Sequence, residues 1–207
     1  MAQHKETSDS LTHPVVEPAH IVVPERRRSA GDYAALALAT WGVGLIPIAP
    51  GTWGSAVGVV LYLGLGQLTE RLFNFSVERG LDLSPQQFPG ILTTVLLLVI
   101  LAVALAGIWA GSRAEKLLGK KDPGAVVVDE VAGQLIAFLF VPWLTTGTWS
   151  VVAGFVAFRV FDIWKPYPVR RLEGLGGGLG IMADDMLAGF YAAAAMSLLV
   201  TLRLLYY

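Results

Sequence analysis

The sequence predicts an all-α protein, a multi-helical integral membrane domain with broken or re-entrant helices. Its 207 residues are 55% hydrophobic and only 15% charged, whereas an ordinary soluble domain carries about 25% charged residues. Long uncharged stretches reach the roughly 20 apolar residues that one membrane crossing needs, and proline and glycine interrupt two of them. No long spacer separates these stretches, so we expect a short tail at residues 1–29 and one helical membrane domain at residues 30–207.

The N-terminal tail has the composition of a disordered segment. Residues 1–29 mix Pro, Ser, Glu and Arg without periodicity, and they lack the apolar stretch and small-residue cleavage site of a signal peptide. All three histidines, His4, His13 and His20, lie in this tail, and the chain contains no cysteine. Unless the tail folds back, the membrane domain therefore has no thiol or imidazole for catalysis or metal binding, and oxygen ligands remain.

Uncharged stretches predict the helices of the domain, at residues 33–69, 83–112, 131–158 and 186–202. The first stretch is too long for one helix and is broken at Pro47 and at residues 50–54. We therefore expect a short entering helix, a turn, and a crossing from about Gly54 to Leu68. In the second stretch, the segment from Ile91 to Ala110 is the cleanest apolar span and predicts a transmembrane helix.

The third stretch is divided by Pro142 and by residues 145–148 into two halves that are each short for a crossing. A re-entrant hairpin fits this pattern, with one long helix as the alternative. Basic residues concentrate at 26–28, 113–121 and 159–171, whereas the predicted loop at 70–82 has no basic excess. The positive-inside rule places the three basic segments in the cytoplasm, and the hairpin brings every polar motif to that face.

The richest polar motif ends the third stretch. Arg159, Asp162 and Lys165 recur at intervals of three, so on a helix they share one broad face and present a carboxylate between two cations, an arrangement suited to phosphate and metal. Pro166 and Pro168 are expected to end that helix. Considered alone, the two cations are also explained as interfacial residues whose charged ends reach water.

Two acid pairs stand before apolar segments. A glycine-rich run at residues 176–180 leads into Asp184 and Asp185, which we expect to open the last helix. Asp129 and Glu130 precede the third uncharged stretch in the same way. Each pair alone is explained by helix capping and the helix dipole. With the carboxylate of the preceding motif, however, three acidic sites lie beside one membrane face, which favours Mg²⁺, a cation that binds carboxylate oxygens, water and substrate phosphate.

Residues 50–55 read Pro-Gly-Thr-Trp-Gly-Ser and predict a tight turn entering a helix. Backbone N–H groups and the hydroxyls of Thr52 and Ser55 could hold phosphate oxygens there. A structural turn with Ser55 as the N-cap is the alternative. The motif lacks the lysine and the spacing of a Walker P-loop.

Four long segments carry these motifs in order along the chain: PIAPGTWGS at 47–55, DPGAVVVDEVAG at 122–133, FRVFDIWKPYPVRRLE at 158–173 and GGGLGIMADDMLAGFYA at 176–192. Together they resemble the phosphatidylglycerophosphatase A family, and the resemblance covers roughly residues 31–200. The long tail and an extended loop at 67–90 look like departures from the compact family pattern.

The resemblance implies a function. The family comprises all-helical, mostly inner-membrane bacterial enzymes that require Mg²⁺ and remove the terminal phosphate of phosphatidylglycerophosphate to leave phosphatidylglycerol, a step of phospholipid biosynthesis. The implied partners are this lipid substrate and the bilayer, with no nucleic acid. The implied location is the bacterial inner membrane, with several crossings and an active site that faces the cytoplasm. Residues 30–207 would then be a helical membrane phosphatase domain.

Our mechanistic hypothesis assigns both catalysis and metal binding to the acidic residues of the motifs. One or two Mg²⁺ ions would activate water and neutralise the phosphate oxygens. Arg159 and Lys165 would clamp the phosphoryl group, and Thr52 and Ser55 would help to seat it. A covalent aspartyl nucleophile is the alternative to activated water. The acids are Asp129, Glu130, Asp162, Asp184 and Asp185.

Three other functions are compatible with parts of the sequence. A phosphatase of the same chemistry could act on another phospholipid or on a soluble phosphate ester, because the choice of head group depends on the shape of the pocket. A small membrane transporter would also contain intramembrane charges and broken helices, although the chain lacks two similar halves. A purely structural membrane protein would tolerate the loss of Asp129 or Asp185.

Overall fold

The computed structural model describes residues 27–143, 147–172 and 174–206. Over these ranges the chain forms α-helices and short 3₁₀ turns and no β-strand, which confirms the all-α, multi-helical prediction. Residues 1–26 of the predicted tail lie outside the described residues. The helices are α1 (Ala30–Thr40), α2 (Pro50–Glu78), α3 (Phe88–Leu118), α4 (Val128–Ala137), α5 (Gly147–Trp164), α6 (Val169–Leu172) and α7 (Gly177–Tyr206).

Two of these helices are long and apolar enough to cross a membrane. The segment Pro85–Leu118, which includes α3, has 34 residues and a mean hydropathy of 2.9. α7 has 30 residues and a mean hydropathy of 1.6. The predicted span at residues 91–110 lies entirely within α3. Leu98, Leu101 and Leu105 on α3 are each more than half exposed, as expected where a helix faces lipid. By length and composition, both helices suit a bilayer.

The start of α2 differs from the prediction. The short entering helix and the turn after it are present as α1 and residues 41–49, but α2 begins at Pro50 rather than near Gly54. Proline at the first helical position loses no hydrogen bond, and Ala49 completes the turn with a left-handed φ of 50°. The motif at 50–55 is therefore the beginning of the helix and not the turn before it.

The end of α2 also lies beyond its predicted limit. The helix continues past residue 68 to Glu78, because no proline or glycine interrupts residues 67–79. The loop predicted at 70–82, and the longer one at 67–90, are therefore wrong over most of their lengths. Gly80, with φ of 85°, marks the actual break in the chain.

The third uncharged stretch is broken into α4 and α5, so the predicted break is present and the single long helix is wrong. α4 has 10 residues, which at about 1.5 Å per residue covers only about half of a bilayer core. It packs against α2, α3, α5 and α7, and every residue in it except Glu130 is buried. A short central helix thus carries an acid pair into the protein interior.

α7 begins earlier than predicted, at Gly177. Asp184 and Asp185 therefore lie in its third turn and do not open the helix. The glycines before them were expected to form a flexible loop, but they allow close packing instead: a Cβ at Gly178 would collide with the carbonyl oxygen of Ile108 in α3. Tertiary contact thus overrides the low helix propensity of glycine.

Asp32 joins the first turn of α1 to α3. The backbone N–H and the hydroxyl of Ser29 donate to Asp32 Oδ2 at 2.7 and 2.9 Å, and Arg113 Nε in α3 donates to Asp32 Oδ1 at 2.7 Å. These bonds, first of all that from the Ser29 N–H, lower the pKa of Asp32 to about 2.

We expect Asp32→Asn to lower the melting temperature at neutral pH and to have progressively less effect in acid. Because the folded-state pKa is about 2 against an ordinary value of 3.8, ionised Asp32 stabilises the fold above pH 3.8, and this stabilisation is lost as the pH falls through about 2. Melting temperatures of both proteins measured from neutral pH to pH 2 test this expectation. A difference that does not change with pH would contradict it.

Candidate active site

The polar motifs meet at one end of the helical bundle. That end contains the first turns of α2 and α4, the last turn of α5 and the third turn of α7. Asp129, Glu130 and Asp185 each present an oxygen there, and these oxygens lie within 4.8 Å of one another. We refer to these three residues as the acid cluster. The structure therefore brings together side chains that are more than fifty residues apart in the sequence.

Close packing between α4 and α7 assembles the acid cluster. A Cβ at Gly133 would lie 2.6 Å from the carbonyl oxygen of Asp185, and one at Gly189 would collide with the carbonyl oxygen of Gly133. Asp129 and Glu130 lie in the first turn of α4, where the helix dipole favours their negative charge. Glycine at the crossing point thus lets two backbones approach until acids from both helices share one site.

Burial makes the acid cluster unfavourable in the absence of a cation. The exposed fractions of Asp129 and Asp185 are 8% and 4%, and Asp129 Oδ1 and Glu130 Oε2 have no hydrogen-bond partner within the described part of the chain. Burial raises the pKa of Asp129, and the nearby carboxylates raise it further. Burial also raises the pKa of Glu130. Such an all-oxygen set fits a hard divalent cation, so the acid cluster could hold a metal ion.

Arg159 and Asp162 adjoin the acid cluster from α5. Arg159 Nη1 lies 2.6 Å from Asp162 Oδ2 and 3.4 Å from Ser55 Oγ on α2. A Cβ at Gly51 would collide with Glu130 Oε1 and would lie 3.2 Å from Arg159 Nη1. The bare backbone at Gly51 therefore leaves room for a carboxylate and a guanidinium to meet over the start of α2.

Lys165 does not continue the helical face of these two residues. α5 ends at Trp164, because the residue before Pro166 is disfavoured in the helical region, and Lys165 has a left-handed φ of 47°. Its Nζ instead lies 2.7 Å from Asp184 Oδ2. Asp184 therefore forms an ion pair beside the acid cluster and is not one of the three converging carboxylates.

The two hydroxyls of the motif at 50–55 have different environments. Ser55 is fully buried and is not the N-cap of α2, since it lies inside the helix and donates its hydroxyl to the Gly51 carbonyl at 2.9 Å. The same hydroxyl accepts a bond from Arg159. Thr52 is exposed in the first turn. Ser55 is thus placed to orient the arginine, and Thr52 is open to solvent.

The sequence profile of one family, described as Phosphatidylglycerophosphatase A, matches residues 36–200. The chain belongs to this family. Proteins named phosphatidylglycerophosphatase A from Escherichia coli and Haemophilus influenzae are 31% and 35% identical to it, over 86% and 73% of this chain and 90% and 79% of their own. A Bacteroides thetaiotaomicron protein named "Putative phosphatidylinositol-3-phosphatase" is 39% identical over 73% of this chain and 84% of its own. No solved structure matches the chain significantly.

As a member of the phosphatidylglycerophosphatase A family, the chain is a phosphoric monoester hydrolase. This confirms the resemblance inferred from the four motifs, all of which lie inside the matched range. It favours the phosphatase interpretation over the transporter and structural alternatives. The acid cluster draws its residues from the second and fourth of these motifs.

Gln134 is a polar residue of this phosphatase that the sequence reasoning missed. Its side chain is fully buried one turn after Glu130, and neither Nε2 nor Oε1 has a partner among the described residues. Its aliphatic part packs against Gly58 of α2. Its position in the sequence could have indicated it, since Gln134 is the one polar side chain in the apolar run at 131–138.

Proposed function

We propose that this phosphatase hydrolyses the terminal phosphate monoester of phosphatidylglycerophosphate, in a Mg²⁺-dependent reaction that gives phosphatidylglycerol for bacterial phospholipid synthesis. The observation that carries the proposal is the acid cluster, whose three oxygens lie within 4.8 Å of one another in the protein interior. The names of the Escherichia coli and Haemophilus influenzae relatives support the choice of substrate.

In this proposal the acid cluster holds the cation. Three carboxylates leave coordination positions for water and phosphate oxygens, which is how Mg²⁺ is usually bound beside phosphate substrates. Mg²⁺ bound there would supply an activated water and neutralise the charge of the phosphate. One buried oxygen each of Asp129 and Glu130 has no hydrogen-bond partner among the described residues, which supports this assignment because a cation would satisfy both oxygens at once.

Arg159 is the proposed phosphate-binding cation. Its guanidinium is held between Asp162 at 2.6 Å and Ser55 at 3.4 Å, which orients it and limits its motion. A guanidinium fixed in this way binds phosphoryl oxygens and stabilises the charge that develops in the transition state. Ser55 would therefore act through Arg159. Asp162, whose side chain also bonds to Asp185, would orient Arg159 and support cation binding by the acid cluster.

Lys165 and Thr52 complete the proposed phosphate site. Lys165 is held by Asp184 at 2.7 Å and would place a second positive charge beside the phosphoryl group. Thr52, exposed at the start of α2, would offer its hydroxyl to a phosphate oxygen. We propose that water attacks the phosphorus directly, and isolation of a phosphorylated aspartate from the protein during turnover would contradict this route.

We further propose a multi-pass protein of the bacterial inner membrane with the acid cluster at the cytoplasmic face. α3 and α7 would cross the bilayer. Cations concentrate at the bundle end that contains the acid cluster, as the positive-inside rule requires of a cytoplasmic face. They are Arg27, Arg28, Arg113, Lys116, Lys120, Lys121, Arg159, Lys165, Arg170 and Arg171, and the cations toward the opposite end are Arg71, Arg79 and Arg203.

A phosphatase for a phosphoinositide is the second candidate, favoured by the 39% identity to the Bacteroides thetaiotaomicron relative. The same acid cluster would serve either reaction, since both break a phosphate monoester. The two candidates differ in the head group that must fit beside the cluster.

Phosphate release by the purified, detergent-solubilised chain tests these proposals. The substrates are phosphatidylglycerophosphate, phosphatidylinositol 3-phosphate and phosphatidic acid, each with Mg²⁺ and with a chelator. We expect Mg²⁺-dependent release that is fastest from phosphatidylglycerophosphate. Faster release from phosphatidylinositol 3-phosphate would favour the second candidate, and no release from any lipid by the folded protein would overturn both.

We expect Gly51→Ala to weaken Mg²⁺ binding and activity roughly 10- to 100-fold, the range typical of residues that support metal ligands. The new Cβ would displace the Glu130 carboxylate and crowd Arg159, whereas alanine itself favours the helix over glycine. The protein should therefore remain folded. Calorimetric titration with Mg²⁺ measures the affinity.

Gly64→Ala is the matched control for this substitution. Gly64 lies on the same helix, and a Cβ there meets no described atom within 4 Å. Equal losses of affinity in both variants would contradict the proposed dependence on Gly51.

A further inference from the structure

A basic aromatic pocket lies directly after the C-terminal end of α5. The chain turns there from α5 into the short helix α6 and forms an open surface cleft of about 460 Å³. Its lining residues are Trp164, Lys165, Pro166, Tyr167, Arg170 and Arg171. Its two arginines, Arg170 and Arg171, have no part in the phosphate site described above.

The basic aromatic pocket is fixed against α7, the helix that carries Asp185. Lys165 Nζ contacts Asp184 at 2.7 Å, and the Tyr191 hydroxyl of α7 donates to the Tyr167 carbonyl at 3.2 Å. Val169, at the start of α6, is fully buried. Because Lys165 both lines the pocket and contacts Asp184, the pocket is joined to the residue that precedes Asp185 of the acid cluster in α7.

The arginines of the pocket are suited to an anion of diffuse charge. The Arg171 guanidinium lies over the Tyr167 ring at 4.8 Å, and its Nη1 donates to the Tyr167 hydroxyl at 3.1 Å. Arg170 and Arg171 are both exposed. A stacked guanidinium is oriented in advance, and its remaining N–H groups can bind two oxygens of a phosphate together.

Exposed apolar side chains beside these arginines point to a lipid as the source of that anion. Ile163, Trp164 and Tyr167 are 74%, 64% and 72% exposed. Cations next to exposed aromatic and aliphatic side chains are typical of surfaces that meet the polar head groups of a bilayer. A soluble phosphate would use the arginines but would leave this apolar surface in water.

We propose that the basic aromatic pocket binds the phosphodiester of the lipid substrate, with Arg170 and Arg171 as specificity-determining residues. The inference rests on the proposed function: a lipid that bears a phosphate monoester beyond a phosphodiester needs two anion sites close together. The acid cluster with Arg159 serves the monoester, and the pocket across Lys165 serves the diester. The pocket therefore selects a phospholipid over a soluble phosphate ester.

Binding of a short-chain phosphatidylglycerol to the full-length, detergent-solubilised protein tests the proposal without relying on catalysis. This lipid carries the phosphodiester but no monoester. By calorimetric titration, we expect Arg170→Gln and Arg171→Gln each to weaken its binding about tenfold, as the loss of one charge-assisted contact does. Inorganic phosphate, titrated as the second probe, should bind the wild type and both variants alike.

Arg79→Gln is the matched control. Arg79 is also stacked on an aromatic ring, that of Phe75 at 4.8 Å, but it follows the far end of α2. Its replacement should leave binding of phosphatidylglycerol unchanged. The proposal would be overturned if the wild type did not bind phosphatidylglycerol, if the pocket variants bound it as tightly as the wild type, or if Arg79→Gln weakened its binding as much as they do. Equal weakening of phosphate and lipid binding would also overturn it, because the pocket would then be a general anion site.

Steady-state kinetics separate this inference from the proposed function. In the pocket variants we expect KM for phosphatidylglycerophosphate to rise about tenfold with little change in kcat. A fall in kcat at unchanged KM would contradict a binding role. If the wild type released no phosphate from this lipid, the proposed function would fail, while the titrations with phosphatidylglycerol would still decide whether the pocket binds a phosphodiester.

Discussion

Asp185→Asn is expected to abolish phosphate release and to raise the thermal stability of the metal-free protein. Asparagine preserves the size of the side chain but removes one of three charges whose oxygens lie within 4.8 Å. Loss of the cation should lower kcat at least roughly a thousandfold, since metal-ion catalysis contributes several kcal/mol. Relief of like-charge repulsion in the interior should stabilise the metal-free fold by roughly 1 kcal/mol.

Two measurements check this prediction: phosphate release at saturating Mg²⁺, and melting temperatures with chelator and with Mg²⁺. Mg²⁺ should raise the melting temperature of the wild type, because a ligand that binds the folded state stabilises it, and should have little effect on the variant. Asp82→Asn removes an exposed carboxylate outside the acid cluster and should behave like the wild type. Retention of activity by Asp185→Asn would show that the acid cluster is not the catalytic site.

Arg159→Lys should lower kcat roughly 100- to 1,000-fold, the usual effect of removing one fixed donor to a developing charge. Lysine keeps the positive charge but is a point charge on a flexible chain. It cannot maintain the contacts of the guanidinium with Asp162 and Ser55 at 2.6 and 3.4 Å and bind phosphoryl oxygens as well. The measurement is kcat and KM with phosphatidylglycerophosphate, together with the melting temperature.

Arg203→Lys is the control for this substitution. Arg203 lies over the Trp149 ring at 4.5 Å, near the C-terminal end of α7 and away from the acid cluster. Its replacement should leave kcat unchanged. If Arg159→Lys retained at least half of the wild-type kcat, charge alone would suffice, and the proposed orientation by Asp162 and Ser55 would be wrong.

Several features of this phosphatase could be predicted from residue types alone. A chain of such low charge must bury or embed most of its length, and the long uncharged stretches between proline and glycine breaks predicted the apolar helices. The same scarcity made Asp129, Glu130 and Asp185 informative, because each carboxylate in an apolar chain needs a structural or functional reason. Pro142 likewise predicted the break between α4 and α5, since proline cannot continue a helix without loss.

Helix boundaries at the glycine-rich motifs could not be predicted in this way. Glycine disfavours an isolated helix, which is why residues 176–180 were expected to form a loop. In the folded protein, α3 passes so close to α7 that no Cβ fits at Gly178. Packing against α3, which is distant in the sequence, therefore decides that this segment is helical.

The sequence by itself determined the fold class, the family and the set of acids available for a site. Only the tertiary structure decided how that set divides. Asp129, Glu130 and Asp185 converge. Asp162 contacts both Asp185 of the acid cluster and Arg159, whereas Asp184 is paired with Lys165. This arrangement of the acids depends on where α4, α5 and α7 cross. Close contacts at glycines set those crossings, and the spacing of residues along the sequence does not show which glycines will meet another helix.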